Sequence, residues 1–198
     1  MNRKEIKAAA KEQFRSNYGT HVAVNFVYML IIGLLGSTFI GTLILGGPLS
    51  SGFTEFHKKS ARKENAGFND LTSGFDNFTN AMTGYIFVVL YTFLWSLLLI
   101  IPGIIKSYSY AMTIYLINKD HSLSGSEAIT LSRKMMKGHK WQLFVLQLSF
   151  IGWALLDVLT FGILGIFYVN PYMSQTVYNF YEQVDREYNG IEEATVTE

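Results

Sequence analysis

Apolar residues in this chain fall in long unbroken runs rather than in short alternating ones. Residues 22–45, 81–105 and 163–181 contain no Asp, Glu, Lys or Arg. Each run is long enough for a helix to cross a bilayer core, which takes about 20 apolar residues. Glycine and proline interrupt the pattern at Gly46-Gly47-Pro48, Pro102-Gly103 and Phe161-Gly162. Such breaks end one helix and start another, so each predicts an outgoing apolar helix followed by a returning one.

A polar and apolar stripe at helical spacing precedes each pair. In the first, Ile6, Ala10 and Phe14 share a face opposite Lys4, Lys7, Lys11 and Arg15. In the second, Phe68, Leu71, Phe75, Phe78 and Met82 recur at intervals of three and four, with Asn69, Asp70, Thr72, Asp76 and Asn77 between them. The third opens on Ser124 and Glu127, a capping-box pair, aligns Ala128, Leu131 and Met135, and stops at Gly138. The predicted fold is therefore all-α: a polytopic membrane helical bundle of about six transmembrane segments in three hairpins, each preceded by an amphipathic interfacial helix. It forms one integral membrane domain over residues 1–184, in repeat units of about 1–62, 66–119 and 122–184, with 185–198 as a disordered cytoplasmic tail. Residues 87–98 also align with 145–156, Trp95 opposite Trp153, as duplication would leave them. The weakest segments are 48–59, poor in large apolar residues, and 104–118, which is short and rich in tyrosine.

Charge sharpens this picture by its placement. The chain is 49% hydrophobic and 16% charged, with net charge +1, less charged than the roughly one-quarter of a soluble domain. Its basic residues segregate: Arg3, Lys4, Lys7, Lys11 and Arg15 precede the first run, Lys58, Lys59, Arg62 and Lys63 follow the first pair, and Lys119, Arg133, Lys134, Lys137 and Lys140 separate the second from the third. The breaks are uncharged. The positive-inside bias then puts both termini in the cytoplasm. The first run is too long for a cleaved secretory signal and no Ala-x-Ala site follows it. There is no cysteine, which excludes disulfides and thiolate metal sites.

No phosphate loop, nucleophile elbow, zinc-binding helix or dinucleotide fingerprint is present, so no enzyme, metal or cofactor is expected. The four histidines, His21, His57, His121 and His139, fall at membrane boundaries and read as interfacial. Lys106 and Asp157 are ionisable residues in apolar context, where charge is costly and function is the default reading. They are expected at the same, noncytoplasmic end and able to pair; the alternative is that Lys106 reaches the interface and Asp157 caps a helix. Asn170-Pro171 predicts a kink, or a broken helix beside a polar cavity. Gly33, Ser37 and Gly41 recur every four residues as a helix-packing stripe. Lys7, Lys11, Arg15, Arg133, Lys134 and Lys137 are the basic residues expected on anionic lipid headgroups. Membrane lipids, and a protein partner or second copy, are the expected partners; nucleic acid is not.

The segment from Ser96 through Pro102-Gly103 and Lys106 to Met112, the stretch Ser126-Glu-Ala-Ile-Thr-Leu-Ser-Arg-Lys-Met-Met-Lys-Gly-His-Lys-Trp, the run Leu148-Ser-Phe-Ile-Gly-Trp, and Asn170-Pro171-Tyr172 resemble in combination one family. It is the uncharacterised bacterial integral-membrane family known as domain of unknown function nine-seven-five, and the likeness runs from the amino terminus to about Val184. More distantly, the Ile-Pro-Gly and Ser-Glu-Ala segments are similar to the membrane domain attached to some glycerophosphodiester phosphodiesterases. The resemblance implies a six-helix membrane protein of a Gram-positive cell with no assigned activity. The phosphodiesterase likeness implies no enzyme, because that chemistry sits in a separate soluble domain. The reading that results is a non-enzymatic envelope protein that handles lipid or a protein partner, with a small-solute or lipid transporter or channel as the alternative.

Overall fold

The computed structural model describes residues 2–98 and 100–196, and every regular element among them is helical. Helix α1, Arg3–Ser16, is capped by Asn2, whose side chain accepts from the Lys4 N–H at 3.1 Å; that satisfies one of the amide groups every helix start leaves without a partner. Its apolar face is covered by the protein itself. Ile6, Ala10 and Phe14 are buried against the last helix, α11, Asn170–Val196. Full burial of Phe14 alone is worth about 1.5–3 kcal/mol.

Three helical stretches are long and apolar enough to cross a membrane: Tyr18–Gly36, Phe78–Leu97 and Lys140–Leu159. These are three of the six expected; the returning segments are too short or too polar to qualify. Helix α2, Tyr18–Gly36, ends ten residues before the break anticipated at Gly46. Ser37 and Thr38 make the turn, and α3, Phe39–Ala61, runs straight through Gly46-Gly47-Pro48. The glycines there serve close approach instead. A Cβ on Gly47 would collide with the Ala81 carbonyl, and one on Gly52 with the carbonyls of Asp70 and Leu71.

The second amphipathic stretch is not one helix. Only α4, Asp70–Ser73, forms a regular turn; Leu71 is buried while Phe68 and Phe75 stay exposed. Helix α5, Phe78–Leu98, packs on α3 and on α6, Ile100–Tyr110. Pro102 sits in the first turn of α6, where its missing N–H costs nothing, and Gly103 lies tight on Ser96. The return is interrupted at Ala111–Met112 before α7, Thr113–Lys119. The capping box of Ser124 and Glu127 starts α8, Gly125–Met135, with both reciprocal hydrogen bonds formed. This helix lies along α5, Gly125 against Gly84, and buries Ala128, Ile129, Ser132 and Met135.

Helices α9, Lys140–Leu148, and α10, Ile151–Leu159, are separated by a bend at Ser149-Phe150. Phe161 (φ 52°) and Gly162 (φ 84°) form the turn that follows. A π-helical turn, Gly165–Val169, then leads into α11. Pro171 accounts for that geometry, since a proline cannot donate to the carbonyl one turn back. Helix α11 does not stop at the tail expected from Asp185: it continues to Val196 because Asp185 is buried, accepts from the Tyr115 hydroxyl at 3.3 Å and pairs with Lys119 at 2.5 Å. Thr197 and Glu198 of that tail lie outside the described residues.

Candidate functional site

The densest polar cluster lies where α1, α2, α3 and α11 meet, inside a cage of rings. Phe14 and Phe56 stand edge-on to His21, with centroids 5.8 and 4.8 Å away, and His57 lies 5.8 Å from His21. His21 bonds the Ser60 hydroxyl through Nε2 at 2.7 Å. Gln175 Nε2 donates to Gln13 Oε1 at 3.0 Å and to the His57 carbonyl at 3.2 Å, and Asn179 Nδ2 donates to Gln13 Oε1 at 2.8 Å. That orients the Gln175 amide, so its Oε1 accepts from His57 Nδ1–H at 2.6 Å. His57 is therefore the Nδ1–H tautomer, and its Nε2 is a lone pair without a donor; His21 Nδ1 is likewise without a partner. A buried polar atom left unpaired is uncommon and costs on the order of 1–3 kcal/mol.

Both histidines are fully enclosed, which corrects the expectation that they sit wet at the boundary. His121 remains exposed, and His139 reaches Glu187 at 4.0 Å. The sequence did carry a signal for the cluster. His21 with Asn25, and Gln175 with Asn179, are spaced four apart and so share a helix face; Asn25 Nδ2 donates to the His21 carbonyl at 2.9 Å. Beside His57 a cavity of about 270 Å³ opens between α3 and α11, bounded by Phe53, Asn170, Met173 and Tyr178. Asn170 bounds this mainly apolar cavity at the helix break, and its Nδ2 lies 3.4 Å from Met29 Sδ.

Lys106 and Asp157 are not brought together. Asp157 Oδ1 accepts from the Gly165 N–H at 2.5 Å, closing the turn between α10 and the π-helical segment, and no side chain fits at Gly165 because that carboxylate fills the space. Lys106 instead holds its ammonium 4.3 Å over the Trp95 ring, in a cavity it shares with Arg133 and close to Lys140.

The small-residue stripe is dispersed as well: Gly33 is on α2 with open space around it, Ser37 caps that helix, and Gly41 is on α3 against Thr38 and Leu35. Of the basic set, Lys7 is half-buried on the protein surface, donating to Ser149 Oγ at 3.1 Å and lying 4.1 Å over the Phe150 ring; partial burial lowers its pKa. Lys11 is half-buried, and Arg15, Arg133, Lys134 and Lys137 are exposed. Among the described residues no three His, Asp or Glu side chains are placed to hold a metal ion.

Residues 97–188 match the family described as protein of unknown function (DUF975). The DUF975 match begins at the end of α5 and takes in Lys106, Arg133, Asp157, Asn170 and Gln175, while His21 and His57 precede it. It supports an uncharacterised family and carries no activity with it. No curated protein and no solved structure matches the chain.

Proposed function

We propose that the chain is a non-enzymatic, multi-pass protein of the bacterial cell membrane, with both ends cytoplasmic, that handles or organises lipid. In this reading α2, α5 and α9–α10 cross the bilayer, and α3, α6 and the start of α11 complete three helical pairs with them. The carrying observation is the distribution of apolar surface. Leu34, Ile101, Leu159 and Phe161, at or near the three connections, are 74%, 72%, 74% and 96% exposed, while every ion pair among the described residues lies toward the other ends of these helices. A soluble monomer rarely exposes contiguous apolar patches beyond a few hundred Å²; lipid is the solvent that suits this surface.

Because the chain has no cysteine, Phe161→Cys and Lys63→Cys each give a single labelling site. In intact cells a membrane-impermeant maleimide is expected to label the first and to reach the second only after permeabilisation. The reverse result overturns the orientation. Phospholipid retained through detergent purification supports the lipid role, and protein recovered free of lipid overturns it.

The cavity between α3 and α11 favours a second reading, a small-solute transporter, since Asn170 and His57 bound it beside a broken helix. Solute flux in proteoliposomes that disappears on Asn170→Leu or Asp157→Asn would select that reading over the first.

A further inference from the structure

The cavity that holds Lys106 is built from three helices. Tyr91 and Trp95 of α5 form one wall, Lys106 and Tyr110 of α6 another, and Ser126, Thr130 and Arg133 line it from α8, around a volume of about 330 Å³. Lys106 is fixed over Trp95, and the Tyr91 and Tyr110 rings lie 6.1 Å apart. No carboxylate lines this space. The acidic side chain of α8, Glu127, is turned back onto Ser124, accepting from its N–H at 2.9 Å and its hydroxyl at 2.6 Å. Among the described residues neither Lys106 nor Arg133 belongs to an ion pair.

Two cations beside an aromatic wall repel each other, and an anion seated between them removes that repulsion. A planar guanidinium with an ammonium and nearby hydroxyls suits the oxygens of a phosphate group. A separate apolar groove, bounded by Ile104, Ile105, Trp141 and Phe144, lies on the other flank of α6. Leu94 and Ile105, the chain neighbours of Trp95 and Lys106, are exposed apolar side chains that suit acyl chains, and Trp and Tyr are enriched at membrane interfaces where headgroups lie.

We propose that this basin binds a phosphate ester, Lys106 and Arg133 contacting its oxygens, and that the ester is the headgroup of an anionic phospholipid. The proposal rests on the lipid-handling reading above and supplies its ligand class and its site.

The test uses the full chain in detergent micelles, titrated with fluorescent phosphatidylglycerol or phosphatidylcholine. It compares the wild type, Lys106→Gln with Arg133→Gln, and a control pair, Lys134→Gln with Lys137→Gln, that removes the same charge from exposed positions. At about fivefold per well-placed cation, the cavity pair is expected to raise the Kd for phosphatidylglycerol roughly 25-fold, with the control pair changing it little. Equal loss in both pairs, or unchanged binding in the cavity pair while the wild type binds, overturns the site and leaves the lipid-handling reading standing. A wild type with no preference for phosphatidylglycerol over phosphatidylcholine overturns the site alone, and a wild type that binds neither lipid overturns both. Competition by glycerol 3-phosphate separates the sources: failure to displace the lipid supports the headgroup assignment, and displacement at equal concentration overturns it in favour of a soluble phosphate ester.

Discussion

Gly52→Ala is expected to destabilise the protein through one added methyl group. The position is in the interior of α3, where alanine is intrinsically better than glycine by up to about 1 kcal/mol, so local propensity argues for stabilisation. Packing argues the opposite. An added Cβ would stand 2.7 Å from the Asp70 carbonyl oxygen and closer still to that of Leu71, against a comfortable carbon–oxygen separation of about 3.3 Å or more. Backbone atoms cannot rotate away as a side chain can, so α4 must withdraw from α3. The strain falls on a seam that also holds the Lys59–Asp70 ion pair and the bond from Asn118 Nδ2 to the Ser51 carbonyl at 3.1 Å. Overpacking of this kind costs about 1–3 kcal/mol. At 2 kcal/mol net, a chain of this size loses about 4–8 °C in Tm, measurable by thermal unfolding in detergent. Gly33→Ala is the internal control: it adds the same methyl to α2 with nothing within 4 Å and is expected to leave Tm unchanged or higher. If Gly52→Ala melts with the wild type while Gly33→Ala falls, the helices meet along Gly33 and the seam described here is wrong.

Gln175→Leu removes the acceptor of His57 Nδ1–H and the donor to Gln13, and is expected to cost about 1–3 kcal/mol in thermal unfolding; Gln175→Glu should recover part of it, and an unchanged Tm in Gln175→Leu would mean the network is not formed. A chain ending at Gly190 should match the full protein in Tm, whereas one ending at Val184 loses the Lys119 and Tyr115 partner and should melt lower; equal behaviour would restore Asp185 to a disordered tail. Lys63→Ala should not change stability measurably, because its pair with Glu12 is exposed on both sides. Ser124→Ala should cost about 1 kcal/mol as a lost cap. The bonds from Ser124, first its hydroxyl and then its N–H, hold the Glu127 carboxyl below its ordinary value. That lowering makes the contribution complete above the unfolded carboxylate pKa and lost as pH falls through the depressed one, so Glu127→Gln should flatten this part of the acid profile.

Helical content and the long apolar helices Tyr18–Gly36 and Phe78–Leu97 were legible because charge-free runs and the absence of strand alternation leave few alternatives, whereas the charge-free run 163–181 is divided by the π-helical turn and the third long apolar stretch is Lys140–Leu159. The cap at Ser124 and the turn at Phe161-Gly162 were legible because each depends on residues adjacent in sequence. What the sequence hid are consequences of contact between distant segments. Gly46-Gly47-Pro48 looks like a helix stop until α5 is seen packed against it. Gly33, Ser37 and Gly41 share one spacing but are separated by the turn at Ser37-Thr38. Lys106 and Asp157 looked equivalent because both interrupt apolar runs, yet one is bonded within its own turn and the other faces a second basic helix. His21 and His57 looked interfacial because lysines flank one of them, and only the packing of α1 and α11 encloses both.

The seating of α1 against α11 orders the protein's assembly in time. Ile6, Ala10 and Phe14 find their cover on Tyr172, Phe180 and their neighbours, which are synthesised long after them. Until then the apolar side of α1 lacks that cover. Closure of α1 onto α11 is then a late event in folding, and removing either helix exposes the same greasy strip.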